Sequence, residues 1–206
     1  VTLNHLPLIG KNTSMRNARI LAFAGSTRKA SFNKKLVAVA AKSVEAVGAQ
    51  VTLIDLADFP LPIFDEDYEA EYGMPENATK LKQLFIDHNG LLIASPEYNS
   101  SVSAVLKNTI DWISRRATGE PMKAAFLGKT AAIMAASPGG LGGIRGLVHL
   151  RSILQNIGVL VMPDQITLSE THSAFGDDGA LNNERKQASV DAFAKELVET
   201  VQKLNV

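Results

Sequence analysis

The side chains best suited to chemistry follow a short apolar stretch near the start of the chain. They form one polar loop, whose residues are Gly25, Ser26, Thr27, Arg28, Ser31 and Asn33. Hydroxyl and amide groups donate hydrogen bonds and an arginine adds positive charge, so this set is suited to an anion. The loop has a single glycine, which excludes the dinucleotide fingerprint and the P-loop. A phosphate monoester is favoured, and the alternative is a tight turn in which Ser31 or Asn33 caps a helix.

The elements around this loop would place it correctly for anion binding. Residues 20–24 are apolar, as in a strand buried on both faces. After the loop, a helical pattern ends at Gly48, and its apolar face carries Leu36, Ala40, Val44 and Val47. The first backbone N–H groups of such a helix point outward, and its dipole favours negative charge there.

Two more unusual loops follow predicted strands. Pro96, Glu97, Tyr98, Asn99 and Ser100 come after the apolar run 91–95, and the glycine-rich segment 137–143 comes after the run 129–136. Glycine lets backbone approach a flat ligand closely. For Tyr98 the alternative is a surface aromatic residue in a turn. For the glycines the alternative is simple chain reversal. In parallel sheets ligands bind where the carboxyl ends of strands meet, so all three loops predict one site.

Strands alternate with helical patterns along the chain. We expect strands at 20–24, 50–55, 91–95, 129–136 and near 159–161. This alternation predicts an α/β fold, a doubly wound sheet. Residues 59–75 are expected to form a long functional or interface loop. Residues 1–17 are interpreted as an extension, and 18–206 as one domain.

Composition excludes several function classes. The chain has 206 residues, with 21 Lys and Arg balanced by 21 Asp and Glu. We therefore expect no nucleic-acid partner. The absence of cysteine removes disulfides, iron–sulfur clusters and thiol nucleophiles, including the phosphatase Cys-x5-Arg loop. No metal spacing is found, no apolar run reaches membrane-spanning length, and a cytoplasmic enzyme is expected.

Three motifs together resemble a known family. They are Gly25-Ser-Thr-Arg-x-x-Ser-x-Asn33, Ser95-Pro-Glu-Tyr-Asn-Ser100 and Leu106-Lys-Asn-Thr-Ile-Asp-Trp112. The chain is similar here to the NAD(P)H-dependent FMN reductases, which include quinone, azo-dye and chromate reductases. The resemblance covers about residues 18–160 and the last helix. It implies a flavodoxin-like fold with five parallel strands in the order 2-1-3-4-5 and helices on both faces.

The resemblance also implies the cofactor site. The FMN phosphate would be held by the first loop, at Gly25, Ser26, Arg28, Ser31, Phe32 and Asn33. The isoalloxazine would be lined by Pro96, Glu97, Tyr98, Asn99 and Ser100, with Ser137, Gly139 and Gly140 at its other edge. The family usually has Pro-Gly where this chain has Ser103-Ala104, and the added methyl group could change the approach of that helix to flavin or substrate.

No catalytic side chain is then expected, because the flavin carries the chemistry. By resemblance, NADPH (or NADH) would pass a hydride to flavin N5, and a small quinone-like acceptor, or a flavin, azo dye or chromate, would take two electrons. A homodimer or homotetramer is implied, with Trp112, Ile113, Arg115 and Arg116 as candidate contacts; the alternative for these residues is a core tryptophan and solvated arginines. The alternatives are a flavodoxin-type one-electron carrier, which the neutral charge disfavours, and a non-catalytic flavin-binding or interaction protein.

Overall fold

A five-stranded sheet forms the centre of the molecule. The computed structural model describes residues 18–204, so the predicted extension 1–17 lies outside the described residues. The strands are β1 (Arg19–Ala24), β2 (Gln50–Ile54), β3 (Gly90–Ala94), β4 (Thr130–Ala136) and β5 (Leu160–Leu168). All pairs are parallel and the order is β2-β1-β3-β4-β5. This confirms the predicted fold and strand order.

Residues 18–204 contain six α-helices, and all but the second pack on the two faces of the sheet. They are α1 (Phe32–Ala46), α2 (Glu66–Tyr72), α3 (Glu76–Asp87), α4 (Ala104–Ser114), α5 (Ile144–Asn156) and α6 (Glu184–Leu204). Buried residues of α1 and α6 form one apolar cluster, and those of α3, α4 and α5 form the other. Within residues 18–204, no helix is both long and apolar enough to cross a membrane.

The alternation of side chains along β1 shows how the two cores arise. Ile20 and Ala22 belong to the cluster with α1 and α6, while Leu21 and Phe23 belong to the cluster with α3, α4 and α5. Successive side chains of a strand point to opposite faces, so a strand covered on both faces must be apolar throughout. The buried run therefore fixes the centre of a doubly covered sheet.

Strand β5 is longer than the sequence pattern predicts. The register with β4 slips between Ala131 and Ile133, where Pro163 lies in the bulged part of β5. Proline has no N–H for a ladder, so it is tolerated at an edge strand or a bulge. The Arg151 guanidinium donates to the carbonyl oxygens of Met162 at 2.6 Å and Pro163 at 3.2 Å. A side chain from α5 thus completes the bulge.

The long segment after β2 is partly helical, so the expectation of a single irregular loop was wrong. Its Asp65 side chain accepts from two backbone N–H groups and caps α2. The segment is held against α4 through Pro62, whose carbonyl oxygen accepts from Trp112 Nε1 at 2.7 Å and Asn108 Nδ2 at 2.9 Å. Asn108 Oδ1 also accepts from the Phe64 backbone at 2.7 Å. The third sequence motif therefore anchors this segment.

These contacts correct part of the predicted subunit interface. Trp112 and Ile113 are fully buried within the chain, so neither side chain is available on the surface of the protomer. Arg115 pairs with Glu69 at 2.8 Å and Arg116 donates to the Glu120 carbonyl at 2.7 Å. Trp112 and Ile113 are therefore core residues, whereas the contact predicted at Arg115 and Arg116, which reach the surface, stays a prediction.

A buried lysine lies at the amino edge of the sheet, opposite the three loops. Lys129 precedes β4, is 7% exposed, and donates to the carbonyl oxygen of His88. Burial, followed by repulsion from Arg19, lowers the Lys129 pKa to about 8 from 10.5, although Asp87 acts in the opposite direction. His88 itself follows the last residue of α3, and its Nδ1 lies 2.6 Å from the Leu84 carbonyl oxygen.

The lowered pKa of Lys129 predicts a dependence of stability on pH. Between about pH 8 and 10.5 the unfolded chain keeps the lysine proton and the folded chain releases it, so stability rises with pH. Relative to Lys129→Met, the wild type should gain about 3 kcal/mol of unfolding free energy across this window, at roughly 1.4 kcal/mol per pKa unit. Urea denaturation of both proteins at several pH values measures this, with the exposed Lys203→Met as control. A constant difference between wild type and Lys129→Met would contradict the assignment.

Candidate functional site

Helices α1, α4 and α5, which follow β1, β3 and β4, begin at the carboxyl edge of the sheet, and the N–H groups of their first turns have different partners. In α4 the Ser103 hydroxyl accepts from the Leu106 N–H at 3.2 Å. In α5 the Glu97 carboxylate accepts from the N–H groups of Arg145 at 3.0 Å and Gly146 at 3.2 Å. In α1, by contrast, the N-cap residue Ser31 makes no side-chain capping bond and the first turn carries no acidic residue. The start of α1 is therefore open to an anion.

The donors around the start of α1 match those expected for a phosphate. Ser26 and Ser31 are buried hydroxyl residues, at 6% and 2% exposure. Arg28 is exposed and its guanidinium carbon lies 5.8 Å from the centre of the Phe32 ring. Lys34 is engaged elsewhere, because its ammonium pairs with Asp55 at 2.5 Å. The arrangement combines hydroxyl donors, first-turn N–H groups and one flexible cation.

A cleft brings together most of the predicted site residues. It is lined by Ser26, Arg28, Ser31, Phe32, Asn33, Pro96, Glu97, Tyr98, Ala136, Ser137 and Pro138. All three loops therefore contribute to one cleft, as the topology predicts. Among the described residues, the predicted members that do not line it are Gly25, Asn99, Ser100, Gly139 and Gly140. Ala136 and Pro138 were missed, since an alanine and a proline carry no chemical signal in the sequence.

Asn33 joins the first loop to the fourth strand. Its Nδ2 donates to the Ala136 carbonyl at 2.9 Å and its Oδ1 accepts from the Ala136 N–H at 2.9 Å. The pairing of β4 with β3 ends at Met134, and these bonds satisfy both polar backbone groups of Ala136 beyond it. Only the backbone N–H and one amide hydrogen of Asn33 remain for a ligand, which narrows its predicted role.

The loop after β3 is a tight turn that projects an aromatic ring. Tyr98 and Ser101 exchange backbone hydrogen bonds at 3.0 Å, and Asn99 and Ser100 between them have φ values of 50° and 64°. Two consecutive left-handed residues define a type I′ turn. The Tyr98 side chain is 57% exposed at the cleft. Asn99 and Ser100 thus shape the turn, while Tyr98 presents its ring.

The four glycines of the third loop divide into two pairs. Gly142 and Gly143 have φ values of 61° and 89°, and a Cβ on Gly143 would lie 2.8 Å from Ala135 Cβ. The backbone conformation at these two positions therefore favours glycine, whether or not a ligand is bound. A Cβ on Gly140 would meet nothing within 4 Å, and one on Gly139 only the Ser137 hydroxyl at 3.7 Å. Gly139 and Gly140 therefore leave open space beside the cleft, as a flat ligand needs.

The close approach of α4 leaves no room for a side chain at Gly25. A Cβ there would lie 2.9 Å from Leu106 Cβ, and its carbonyl oxygen accepts from the Ser103 hydroxyl at 2.6 Å. Ser103 thus caps α4 and ties it to the first loop at once. A proline, which is usual in the resembled family at this position, could do neither with its side chain. The departure from the family pattern has a direct structural role.

An aromatic cluster beside α1 was missed by the sequence analysis. The Phe32 ring packs edge-to-face on His172 at 5.4 Å between centroids and stacks on Phe175 at 6.4 Å. Lys35 lies over the Phe175 ring, with 5.5 Å from its ammonium to the centroid. His172 and Phe175 come from the segment after β5, whose polar composition gave no periodic signal. The cluster supports one side of the phosphate loop.

The fold and cleft define a flavodoxin-like α/β protein with a cleft between three loops at the carboxyl edge of its sheet. A model of the NADPH-dependent FMN reductase family matches residues 18–173. The chain belongs to this family. The prediction of an NAD(P)H-dependent oxidoreductase, with FMN and NAD(P)H as its cofactors, is thereby confirmed at the level of the family.

Individual relatives agree with this assignment. The chain is 34% identical, over 88% of its length and 89% of the relative, to an NAD(P)H-dependent FMN reductase of Pseudomonas aeruginosa. It is 32% identical to a 2-hydroxy-1,4-benzoquinone reductase of a Burkholderia species, over 85% of this chain and 91% of that protein.

Solved structures agree on the fold. The NAD(P)H:(acceptor) oxidoreductase FerB of Paracoccus denitrificans superposes with a TM-score of 0.76 at 28% identity, covering 90% of this chain and 98% of that one. An archaeal flavodoxin superposes with a TM-score of 0.58 at 10% identity, covering 89% and 99%, and so shows the fold alone.

The paired bonds of Asn33 predict a large cost for its removal. Asn33→Ala should lower the free energy of unfolding by about 2–4 kcal/mol, because it leaves the buried N–H and C=O of Ala136 without these partners. Chemical denaturation of the apoprotein measures this. Asn77→Ala is the matched control, since Asn77 makes one exposed bond to the Pro60 carbonyl at 3.0 Å. Equal effects of the two substitutions would show that the Asn33 bonds are not special.

Proposed function

We propose that this chain is an FMN-dependent NAD(P)H oxidoreductase that passes two electrons to quinone-like or other small acceptors. The observation that carries the proposal is the uncapped start of α1, beside two buried serines and Arg28. Of the three helices α1, α4 and α5, which begin at this edge, α4 and α5 have their first turns capped by Ser103 and Glu97. Only the start of α1, among these three, is left for a phosphate.

The donor set fits the phosphate of FMN. Ser26, Ser31 and the first N–H groups of α1 would donate to its oxygens, and Arg28 would supply a charge-assisted hydrogen bond. No acidic residue of the first turn of α1 opposes this charge. Arg28 can reach a ligand because its side chain is exposed and lies over the face of Phe32 at the mouth of the cleft.

The rest of the cleft fits a flat ring system. The Tyr98 turn would line one edge of the isoalloxazine, with its backbone donors fixed by the left-handed pair Asn99 and Ser100. Gly139 and Gly140 would allow backbone to approach the other edge, since no side chain occupies that space. When bound, FMN would supply the redox chemistry, by accepting a hydride at N5 and giving two electrons to the acceptor. The protein residues bind and orient.

The acceptor and donor preferences are part of the proposal. Relatives named as quinone reductases and as a 2-hydroxy-1,4-benzoquinone reductase favour a quinone-like acceptor. NADPH is favoured as donor by the family description. We also propose a cytoplasmic homodimer or homotetramer, because the resembled family forms such assemblies.

The first test is spectroscopic. The protein is reconstituted with FMN, freed of unbound flavin and mixed with NADPH without oxygen. Retained FMN should lose its visible absorbance in a single two-electron step, and addition of a benzoquinone should restore the spectrum. Retained FMN that neither NADPH nor NADH can bleach would favour an electron carrier. Loss of all flavin during purification would contradict the assigned site.

The second test addresses the phosphate. Arg28→Ala should raise the Kd for FMN by about 10- to 100-fold, because a charge-assisted hydrogen bond contributes about 1.5–3 kcal/mol. The Kd for riboflavin, which lacks the phosphate, should be unchanged. Titration of flavin fluorescence measures both. Arg116→Ala is the control, since this exposed arginine donates to the Glu120 carbonyl at the far end of α4. An unchanged Kd for FMN in Arg28→Ala would remove the phosphate assignment.

A further inference from the structure

The carboxylate of Glu97 connects the two loops that flank the predicted flavin ring. Its Oε2 accepts from the backbone N–H groups of Arg145 at 3.0 Å and Gly146 at 3.2 Å. Its Oε1 accepts from Arg145 Nε at 2.8 Å and lies 2.6 Å from a terminal guanidinium nitrogen of Arg145. Both oxygens of one side chain are therefore bound to the first turn of α5.

The Glu97 carboxylate is largely shielded from solvent where it pairs with Arg145. The Glu97 side chain is 8% exposed, although Arg145 is 58% exposed. Burial alone would raise the Glu97 pKa, but hydrogen bonds from Arg145 and the Gly146 N–H outweigh it and hold the pKa below its usual value. The carboxylate is thus ionised at neutral pH, and it also meets the positive end of the α5 dipole. Such a bond is stronger than an exposed ion pair.

The surrounding packing reinforces this connection. A Cβ on Gly146 would lie 3.2 Å from the Ser101 carbonyl oxygen and 3.3 Å from Glu97 Cβ, so α5 approaches the Tyr98 turn closely. His149 Nδ1 lies 2.9 Å from the Ser101 hydroxyl, one helical turn further along α5. The Tyr98 turn and the start of α5 therefore contact each other at several points, and Glu97 makes the charged one.

We propose that Glu97 is a positioning residue that fixes the Tyr98 turn relative to the glycine-rich loop 137–143, and so sets the shape of the flavin ring site. This rests on the proposed function. The loop 137–143 leads directly into α5, so a bond to the first turn of α5 holds the end of that loop. Glu97 also directly precedes Tyr98, the first residue of the turn, in the chain. The hydrogen bonds of the carboxylate go to α5 and none goes to residues 25–33, so the phosphate and ring parts of the site become separable by substitution.

Three probes test this separation. FMN reports on the whole site, riboflavin on the ring part, and inorganic phosphate, used as a competitor of FMN, on the phosphate part. In Glu97→Ala the Kd values for FMN and riboflavin should both rise about tenfold, while the inhibition constant of phosphate stays within about twofold of the wild type. With FMN saturating, the rate of bleaching by NADPH should also fall about tenfold, because small misplacements of reacting groups are costly.

A conservative variant and a matched control distinguish loss of positioning from loss of structure. Glu97→Gln keeps the shape and one acceptor but loses the charge, so it should fold and show a smaller shift of about threefold in the same direction. Glu69→Ala is the matched control. It removes another glutamate–arginine pair, to Arg115 at 2.8 Å, near the far end of α4. That end lies roughly 16 Å along the helix from Ser103. This control should remain within about twofold of the wild type for every probe.

The outcomes separate this inference from the proposed function. If the wild type binds FMN and is bleached by NADPH, but both Glu97 variants match it within about twofold, the positioning role is overturned. The positioning role is also overturned if phosphate inhibition weakens in parallel with riboflavin binding, since that indicates a general loss of structure. If the wild type retains no FMN, the proposed function itself fails.

Discussion

The organisation of this protein depends on how the unpaired N–H groups at the start of its helices are satisfied. A parallel sheet with crossover helices gathers those starts at one edge, and each leaves several backbone donors without intrahelical partners. Ser103 caps α4 and Glu97 caps α5, both with side chains from the loop after β3. The first turn of α1 receives no such side chain. Among the helices that follow β1, β3 and β4, α1 is therefore the one whose first turn has no side-chain cap.

The same side chains that satisfy these donors also hold the loops together. Ser103 joins α4 to Gly25, Glu97 joins the Tyr98 turn to α5, and Asn33 joins α1 to β4. Each bond links segments that are far apart in sequence. Loops would otherwise be the most mobile part of the fold. The cleft is therefore shaped by a few long-range bonds from residues that its motifs already contain.

The sequence was sufficient for the sheet and for the residue types of the site. Strands β1, β3 and β4 are buried on both faces and read as apolar runs. Their positions in the chain could therefore be predicted, and so could the edge of the sheet at which the loops after them meet. Strand β5 was underestimated because Pro163 interrupts it at a bulge that Arg151 completes from α5. Helix α2 was missed because its start depends on the local Asp65 cap within an acidic segment.

The role of each residue within a motif could not be predicted, because it depends on contacts with residues far away in the sequence. Asn33 reads as a phosphate ligand, yet most of its amide is bonded to Ala136. Trp112 reads as a candidate interface residue, yet it is buried and bonded to Pro62. Only tertiary structure shows that Gly142 and Gly143 serve the chain while Gly139 and Gly140 leave open space. A motif identifies the family, and packing decides what each member does.

The departure at Ser103-Ala104 shows that a changed motif can bring contacts of its own. Ala104 is exposed and is not among the residues that line the described cleft. The alanine also suits the first turn of a helix better than glycine, whose greater backbone freedom opposes helix formation. Ser103 contributes a hydroxyl that bonds to both Gly25 and Leu106. A proline ring would restrict the backbone at this position, whereas Ser103 holds the start of α4 by hydrogen bonds. One of these bonds goes to Gly25 and so connects α4 to the first loop.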